Sequence, residues 1–365
     1  MDFAAGLAGR NCLVTGASGF IGRRLVAALA DLGAVVTVLG RSRHSFAHFG
    51  DLPLRKIQGD MTDAGAMAKA LAGQEVVFNL AYDFRASGQA NLAGLEGLIT
   101  AAQKAATPKT ATARIVHVSS IVVYDDWPGG DVNEASSMHS PGGGAYRQTK
   151  IAMEKRLMAG TLPAAILQPT IVYGPGSAQW TDGFAEALLN GSVLLPTPEG
   201  LCQGVFVDDV VQGLLRAATL PDLVRERFIL SGPAPFKWSE LIAGYRDILR
   251  QGTLQFCPAD ELRPSAAQAD AAAQDTEMPP SAAARISALG RRLLGHQRFE
   301  ALVRKAKKRL RPSGEMRPDA HLFELLTTSG QCPIDAARQR LGYAPAYDLA
   351  KGLAATASHL RNMAR

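Results

Sequence analysis

The feature that most constrains the fold lies near the start of the chain, at residues 12–24. A short apolar run ends there at Thr15, and a helical pattern of leucine and valine follows three glycines, Gly16, Gly19 and Gly22. A strand, a glycine turn and a helix in this order open a βαβ unit. Glycine permits a tight turn, and the free N–H groups at the start of the helix favour a phosphate. The stretch predicts a pyrophosphate site; a simple tight turn is the alternative.

Apolar runs and helical patterns alternate through residues 10–160. We predict strands over 11–15, 34–39, 76–81 and 114–119, and helices near 20–32, 63–72 and 89–106. This alternation is typical of an α/β fold, a Rossmann-type doubly wound parallel sheet with helices on both faces. Ligands of such sheets bind at the carboxyl ends of the strands. The residues that follow each run are therefore expected to line one crevice.

The sequence predicts a dinucleotide-binding domain followed by a smaller C-terminal substrate lobe. The segments are 1–169 for the Rossmann domain, with 205–230 returning to it, 170–257 and 320–365 for the lobe, 258–283 for a flexible linker, and 284–312 for a basic amphipathic insertion. The linker is predicted because its Ala, Pro, Gln and acidic residues show no periodicity.

Composition favours a cytoplasmic protein. The chain is 47% apolar and 20% charged, as in soluble globular proteins, and it has no run of eighteen apolar residues. Its N-terminus lacks the pattern of a secretory signal. The cysteines are scattered, without a C-x-x-C pair, so we expect reduced thiols and no metal site. They are Cys12, Cys202, Cys257 and Cys332.

The basic charge is concentrated in the insertion. Ten Lys or Arg residues and one acid, Glu300, lie between Arg285 and Arg311, with apolar residues at helical spacing. Such a helix binds an anionic membrane surface peripherally, or it packs its leucines on the protein itself. No nucleic-acid partner is expected, because no motif and no aromatic beyond Phe299 accompanies the charge.

A second chemical pattern is Tyr146-Arg-Gln-Thr-Lys150, whose outer residues share one face of a helix. A nearby cation lowers the pKa of a phenol from its usual ~10, so the tyrosine can exchange a proton with a carbinol oxygen. A nicotinamide would exchange the hydride. The strand at 114–119 runs into Ser119-Ser120, where a hydroxyl can polarise the same oxygen.

Taken together, these motifs mark a family. The chain resembles the extended short-chain dehydrogenase/reductase family, and within it the NAD-dependent epimerase/dehydratase group. The residues that carry the resemblance are TGASGFIG (15–22), Gly59-Asp60, VFNLA (77–81), VHVSSIVVY (116–124), YRQTK (146–150), LQPTIVYGPG (167–176), VFVDDV (205–210) and LGYAP (341–345).

The resemblance implies roles for the matched residues. Tyr146 would be the general acid/base, Lys150 its partner and Ser120 the catalytic hydroxyl, with Ser119 as the neighbouring candidate. Residues implied to bind the cofactor are Gly16, Ser18, Gly19, Phe20, Ile21, Gly22, Asp60, Met61, Ala81, Tyr146, Lys150 and Pro169. A homodimer is expected because members of the family often pair through a four-helix contact.

The chain departs from the family after its second strand. An acid usually binds the ribose 2′-hydroxyl of NAD there, but Arg41 and Arg43 stand at this place. Arginine suits a 2′-phosphate, so NADP(H) is favoured over NAD(H). The alternative is that both arginines are solvated loop residues.

The sequence is compatible with more than one class of substrate. The leading interpretation is an oxidoreductase or epimerase that acts on a carbinol or ketone of a nucleotide-sugar-like substrate. A 4,6-dehydratase is disfavoured, because Ile and Val follow Ser120 where that reaction's acid pair would stand. The alternatives are a reductase of a steroid-like, flavonoid-like or lipid-linked substrate, and a non-catalytic nucleotide-binding scaffold. Candidate substrate contacts, each of which could equally be core, are Tyr82, Ser119, Thr170, Tyr173 and Trp180.

Overall fold

The computed structural model describes residues 6–105, 113–264 and 314–365. The predicted insertion at 284–312 and the part of the predicted linker beyond residue 264 lie outside these ranges.

Seven parallel strands form the central sheet, in the order β3-β2-β1-β4-β5-β6-β11. They are β1 (Asn11–Thr15), β2 (Val35–Gly40), β3 (Arg55–Gln58), β4 (Val76–Asn79), β5 (Arg114–Val118), β6 (Ala164–Pro169) and β11 (Arg225–Leu230). The chain order reverses between β1 and β4, and a crevice opens at the carboxyl ends of the strands at such a point. The predicted doubly wound fold is confirmed.

The central strands form where the sequence is continuously apolar. All four residues of β4 and all six of β6 are buried, as expected for strands covered on both faces. The edge strand β3 is different, because its RKIQ sequence is mostly exposed. The hydrophobic pattern therefore gave no signal for it, and its hydrogen bonds with β2 define it instead.

Helices cover both faces of the sheet. The helices are α1 (Phe20–Asp31), α2 (Ala64–Leu71), α3 (Gly88–Ala105), α4 (Gly144–Met158), α5 (Gly183–Asn190), α6 (Val207–Ala218), α7 (Trp238–Leu249), α8 (Ala259–Leu262), α9 (Ala320–Thr327) and α10 (Leu349–Ala364). Helices α1 and α6 pack on one face, while α2, α3 and α4 pack on the other.

The second lobe has its own core around Tyr173, Phe184, Trp238 and Tyr245. Its strands are β7 (Ile171–Tyr173), β8 (Gly191–Thr197), β9 (Leu201–Cys202), β10 (Gly204–Phe206), β12 (Phe236–Lys237), β13 (Thr253–Pro258) and β14 (Gly314–Met316). Strand β8 lies between β13 and β14 in a three-stranded sheet. The predicted linker begins with the short helix α8, and its residues 265–283 lie outside the described ranges.

Within the described ranges, no helix is long and apolar enough to cross a membrane.

Candidate active site

The glycine turn joins β1 to α1 and has one open position. A Cβ on Gly16, whose φ is +68°, would lie 2.6 Å from the carbonyl carbon of Leu80, and one on Gly22 would lie 2.2 Å from the carbonyl oxygen of Gly16. Those two glycines are required by the packing of the chain itself. Gly19 precedes α1, and its Cβ would meet only the Gly16 oxygen, at 3.1 Å. The space at Gly19 is therefore open to a ligand at the helix N-terminus.

A buried polar chain ties β1, β4 and β5 together behind this turn. The Thr15 hydroxyl donates to Asn79 Oδ1 at 2.8 Å, and Asn79 Nδ2 donates to His117 Nδ1 at 3.0 Å. His117 is fully buried, and burial, with the charge of Lys150, holds its pKa well below the usual value. It is neutral, and its Nε2 has no hydrogen-bond partner among the described residues.

The three predicted catalytic side chains meet at the end of β5. Tyr146 and Lys150 lie on one face of α4, and the Tyr146 side chain is hydrogen-bonded to that of Ser120. Lys150 Nζ donates to the Val118 carbonyl at 2.8 Å and lies 5.8 Å from the centroid of the Tyr146 ring. A proton donor, a polarising hydroxyl and a buried cation therefore border one space.

The protonation of this group differs from the sequence-based expectation. Burial raises the pKa of Tyr146 to about 12, against the effect of the Ser120 hydrogen bond. Burial lowers the pKa of Lys150 to about 8, against the charge of Glu154. The lysine does not depress the pKa of the tyrosine here, because its ammonium is directed at the Val118 carbonyl and lies 5.0 Å from the ring of Tyr82. Tyr146 is therefore a protonated phenol at neutral pH.

Two aromatic rings cover the tyrosine. Phe84 stacks on Tyr146 with ring centroids 5.4 Å apart, and Tyr82 meets Tyr146 edge to face at 5.0 Å. Phe84 is 79% exposed, which is unusual for a large apolar side chain beside a reactive group. Sequence reasoning selected Tyr82 but missed Phe84. The mouth of the site is thus aromatic and apolar.

A buried carboxylate supports the site from below. Glu154, which is fully buried on α4, accepts hydrogen bonds from Ser119, from Gln168 at 3.0 Å and from Arg227 at 2.7 Å. Ser119 is therefore held in the interior, and its hydroxyl does not face the crevice. No local sequence signal marks this network, because its members come from β5, α4, β6 and β11.

Arg147 fixes the loop that leads into α4. Its Nε donates to the Val122 carbonyl at 2.9 Å, and its Nη1 donates to the carbonyls of Ser140 and Gly142, both at 2.8 Å. It also pairs with Asp125. This buried guanidinium joins the segment after Ser120 to the segment before Tyr146. The Y-x-x-x-K pattern gave no reason to select it.

The other end of the crevice, beyond β2, is charged. Arg41 pairs with Asp83, with Nη1 and Oδ2 2.5 Å apart. Asp60 accepts from the backbone and hydroxyl of Thr62, and these bonds, together with the charge of Arg41, lower its pKa. Arg43 is exposed and lies at the start of a 3₁₀ helix, Arg43–Phe49. Arg41 is thus already paired with Asp83, an acid that no sequence motif marks.

The remaining candidate substrate contacts lie away from the catalytic group. Thr170 is buried and bonds Leu230 and Ser231, and Tyr173 is buried in the core of the second lobe. Trp180 packs on Trp238, with ring centroids 5.7 Å apart. These three are packing residues in this structure.

The remaining cofactor candidates divide by exposure. Ser18 is exposed in the glycine turn, while Phe20 and Ile21 pack partly against the core of the second lobe. Met61 packs near Gly94 of α3, Ala81 is half-buried after β4, and Pro169 ends β6. Of these, Ser18 is the one fully open to a ligand.

Comparison with known proteins identifies the family. The model of the NAD dependent epimerase/dehydratase family matches residues 12–230, which is more than half of the chain. The chain belongs to this family. The match begins at the second residue of β1, extends through the other six strands of the central sheet and includes the three catalytic candidates.

Curated relatives are similar over part of their length. The chain is 29% identical over 203 residues to a 2-alkyl-3-oxoalkanoate reductase of Stenotrophomonas maltophilia, covering 50% of this chain and 57% of the relative. It is 28% identical over 235 residues to a 3 beta-hydroxysteroid dehydrogenase/Delta 5-->4-isomerase of Mycobacterium tuberculosis, covering 58% and 61%. The chain therefore spans less than two thirds of these relatives.

Among solved structures, the UDP-glucose 4-epimerase of Thermotoga maritima with UDP-glucose superposes with a TM-score of 0.66. It is 18% identical, and the alignment covers 97% of this chain and 100% of that one. At this identity the likeness shows a shared fold.

Proposed function

We propose that the chain is a nicotinamide-dependent oxidoreductase that interconverts a ketone and a secondary alcohol on a hydrophobic substrate. The observation that carries this proposal is the aromatic cover of Tyr82 and Phe84 over a protonated Tyr146. A protonated phenol is the form that can donate to a carbonyl oxygen, which favours the reductive direction.

The residues of the crevice fit a dinucleotide. Gly19 and Ser18 leave the start of α1 open for the pyrophosphate, and Asp60 would bind the adenosine end. Arg41 and Arg43 follow β2, where a 2′-phosphate would lie, so we propose NADP(H) over NAD(H). When bound, the nicotinamide supplies or accepts the hydride.

The chain's own residues handle the proton. Tyr146 donates its phenolic proton to the carbonyl oxygen of the ketone, and this proton together with one hydride at the carbonyl carbon gives the secondary alcohol. Ser120 donates a hydrogen bond to the same oxygen and stabilises its developing negative charge. Lys150 acts as a positioning residue, because its ammonium, 5.8 Å from the centroid of the Tyr146 ring, donates to the Val118 carbonyl and so holds the end of β5 beside Tyr146.

The substrate class follows from the surroundings of Tyr146. The exposed Phe84 ring offers apolar area and no hydrogen-bond partner to a diphosphate or to sugar hydroxyls. The names of the two curated relatives, a reductase of alkylated oxoalkanoates and a steroid dehydrogenase, support a hydrophobic substrate. Epimerisation of a sugar nucleotide is the second candidate, favoured by the fold shared with the UDP-glucose 4-epimerase.

A substrate panel tests the proposal. NADPH and NADH oxidation would be followed with a 2-alkyl-3-oxoalkanoate, a 3-oxosteroid and UDP-glucose, with product analysis for each. We expect stoichiometric NADPH oxidation with at least one hydrophobic ketone, and a loss of about 10²–10⁴-fold in kcat for Tyr146→Phe. Phe84→Ala should raise KM for the ketone.

Two results would contradict it. Isomerisation of UDP-glucose without net cofactor consumption, and no turnover of either ketone, would favour the epimerase. Full activity of Tyr146→Phe would remove the tyrosine from the chemistry. Val35→Ala is the control for Phe84→Ala, because Val35 is also an exposed apolar residue but lies at the start of β2, outside the aromatic cover. It should leave KM for the ketone unchanged.

The membrane contact predicted for 284–311, the homodimer and the cytoplasmic location remain predictions. A hydrophobic substrate fits an enzyme that binds a membrane surface through basic charge. Co-sedimentation with anionic liposomes, for the full chain and for a chain without 284–311, tests this contact. Equal and negligible pelleting of both would refute it.

A further inference from the structure

The ion pair at the far end of the crevice is held in place by its own scaffold. Asp83 follows β4, and its backbone N–H donates to Asn91 Oδ1 at 2.8 Å, while Asn91 Nδ2 donates back to its carbonyl at 3.0 Å. Its carboxylate meets Arg41 at 2.5 Å and Arg85 at 3.5 Å. Since α3 fixes the backbone of Asp83, the acid is positioned and does not simply follow a mobile arginine.

The charge around Arg41 opposes a phosphate. Asp60 and Asp83 both interact electrostatically with Arg41 and with each other. A 2′-phosphate of NADP brings up to two further negative charges to this place and needs the same guanidinium for bidentate hydrogen bonds. The ribose of NAD brings a neutral hydroxyl, so it can bind without displacing Asp83 from Arg41.

We propose that Asp83 is a specificity-determining residue that competes with the 2′-phosphate for Arg41 and so restrains the chain's preference for NADP(H). This inference rests on the proposed nicotinamide cofactor. Arg41 sets the preference for the phosphate, and Asp83 sets how large that preference becomes. NAD enzymes usually carry an acid after β2, and this chain does not. Instead Asp83, the acid after β4, supplies a negative charge that disfavours the 2′-phosphate of NADP.

Isothermal titration calorimetry tests the role of Asp83 by measuring cofactor binding alone, without catalytic turnover. The dissociation constants of NADP and NAD would be measured for the wild-type chain, Asp83→Asn, Arg41→Ala and the double variant. Adenosine 2′,5′-bisphosphate and adenosine 5′-monophosphate serve as fragments that differ only in the 2′-phosphate. Asp83→Ser is a second charge-removing variant, and thermal unfolding without ligand confirms that each variant is folded.

We expect Asp83→Asn to raise the preference for NADP over NAD by about five- to tenfold. The substitution frees Arg41 from an exposed ion pair and removes a carboxylate that repels the 2′-phosphate. In the Arg41→Ala background the gain should shrink to about twofold. Asp247→Asn is the matched control, because it removes one carboxylate from a surface ion pair with Arg246, at 2.7 Å on α7. It should leave the preference unchanged.

The failures are distinguishable. An unchanged or lower preference for NADP in both Asp83 variants overturns the role of Asp83, even when both cofactors bind well. Equal gains with and without Arg41 overturn the competition for that arginine. If the wild-type chain binds neither dinucleotide, the proposed function itself fails and the inference falls with it.

Discussion

Replacing Gly16 with alanine tests how tightly the glycine turn is built. Its φ of +68° costs an alanine about 1–2 kcal/mol. The new Cβ would also meet Leu80 and Ala81 backbone atoms at 2.6–2.8 Å, and overpacking of this kind costs about 1–3 kcal/mol more. Gly9 has a similar φ of +73° but nothing within 4 Å, so Gly9→Ala should show the backbone cost alone.

Urea unfolding followed by circular dichroism measures both variants. We expect Gly16→Ala to lose about 2–4 kcal/mol, and Gly9→Ala about 1 kcal/mol because alanine also restricts the unfolded chain. NADP affinity should fall at least tenfold in Gly16→Ala only. Equal losses of stability in the two variants would show that the clash with the Leu80 backbone adds no destabilisation. An unchanged NADP affinity in Gly16→Ala would show that the glycine turn does not bind the cofactor.

Three further substitutions address the rest of the site. Lys150→Met should stabilise the protein at pH 7.5 by up to about 3 kcal/mol, because burial lowers the pKa of the Lys150 ammonium from 10.5 to about 8. That advantage should narrow from pH 8 to pH 10, where the unfolded chain still holds the proton that the folded chain has lost. Arg147→Ala should cost about 2–4 kcal/mol and lower kcat at least tenfold, since both loops beside Tyr146 lose hydrogen bonds. Glu154→Leu should cost about 3–5 kcal/mol by leaving Arg227 unpaired.

Controls and contrary results are clear for each. Arg156, on α4 like Arg147, forms a half-exposed ion pair with Glu96 of α3, and Arg156→Ala should cost under about 1 kcal/mol. A loss for Arg147→Ala no greater than this would refute its bridging role. A constant difference between Lys150→Met and wild type from pH 7.5 to pH 10 would refute the depressed lysine pKa. If Glu154→Leu left the free energy of unfolding unchanged, the buried network around Glu154 would contribute nothing to stability.

The sequence predicts those features of the site that depend on residues close together in the chain. The glycine turn at 15–22 and the spacing of Tyr146 and Lys150 are set within one strand–helix unit and one helix, so the sequence could reveal them. The neighbours Ser119 and Ser120 could not be separated in this way. Successive residues leaving a strand face opposite sides, and only the packing of Glu154 decides which hydroxyl is buried.

What the sequence could not predict depends on distant contacts. Arg41 looked like a free phosphate anchor because its partner, Asp83, comes 42 residues later. The raised pKa of Tyr146 depends on rings that fold over it, and the strand β3 depends on pairing with β2. In each case the missing information is tertiary, and no periodicity or spacing contains it.

The segment Tyr82-Asp83-Phe84 reaches both ends of the crevice. Its aromatic residues cover Tyr146, and the acid between them pairs with Arg41. Under the two proposals above, cofactor preference and substrate preference depend on the same three-residue segment. An engineer who changes Asp83 to alter the cofactor should expect a changed substrate range, and natural selection on either trait would act on the same three codons.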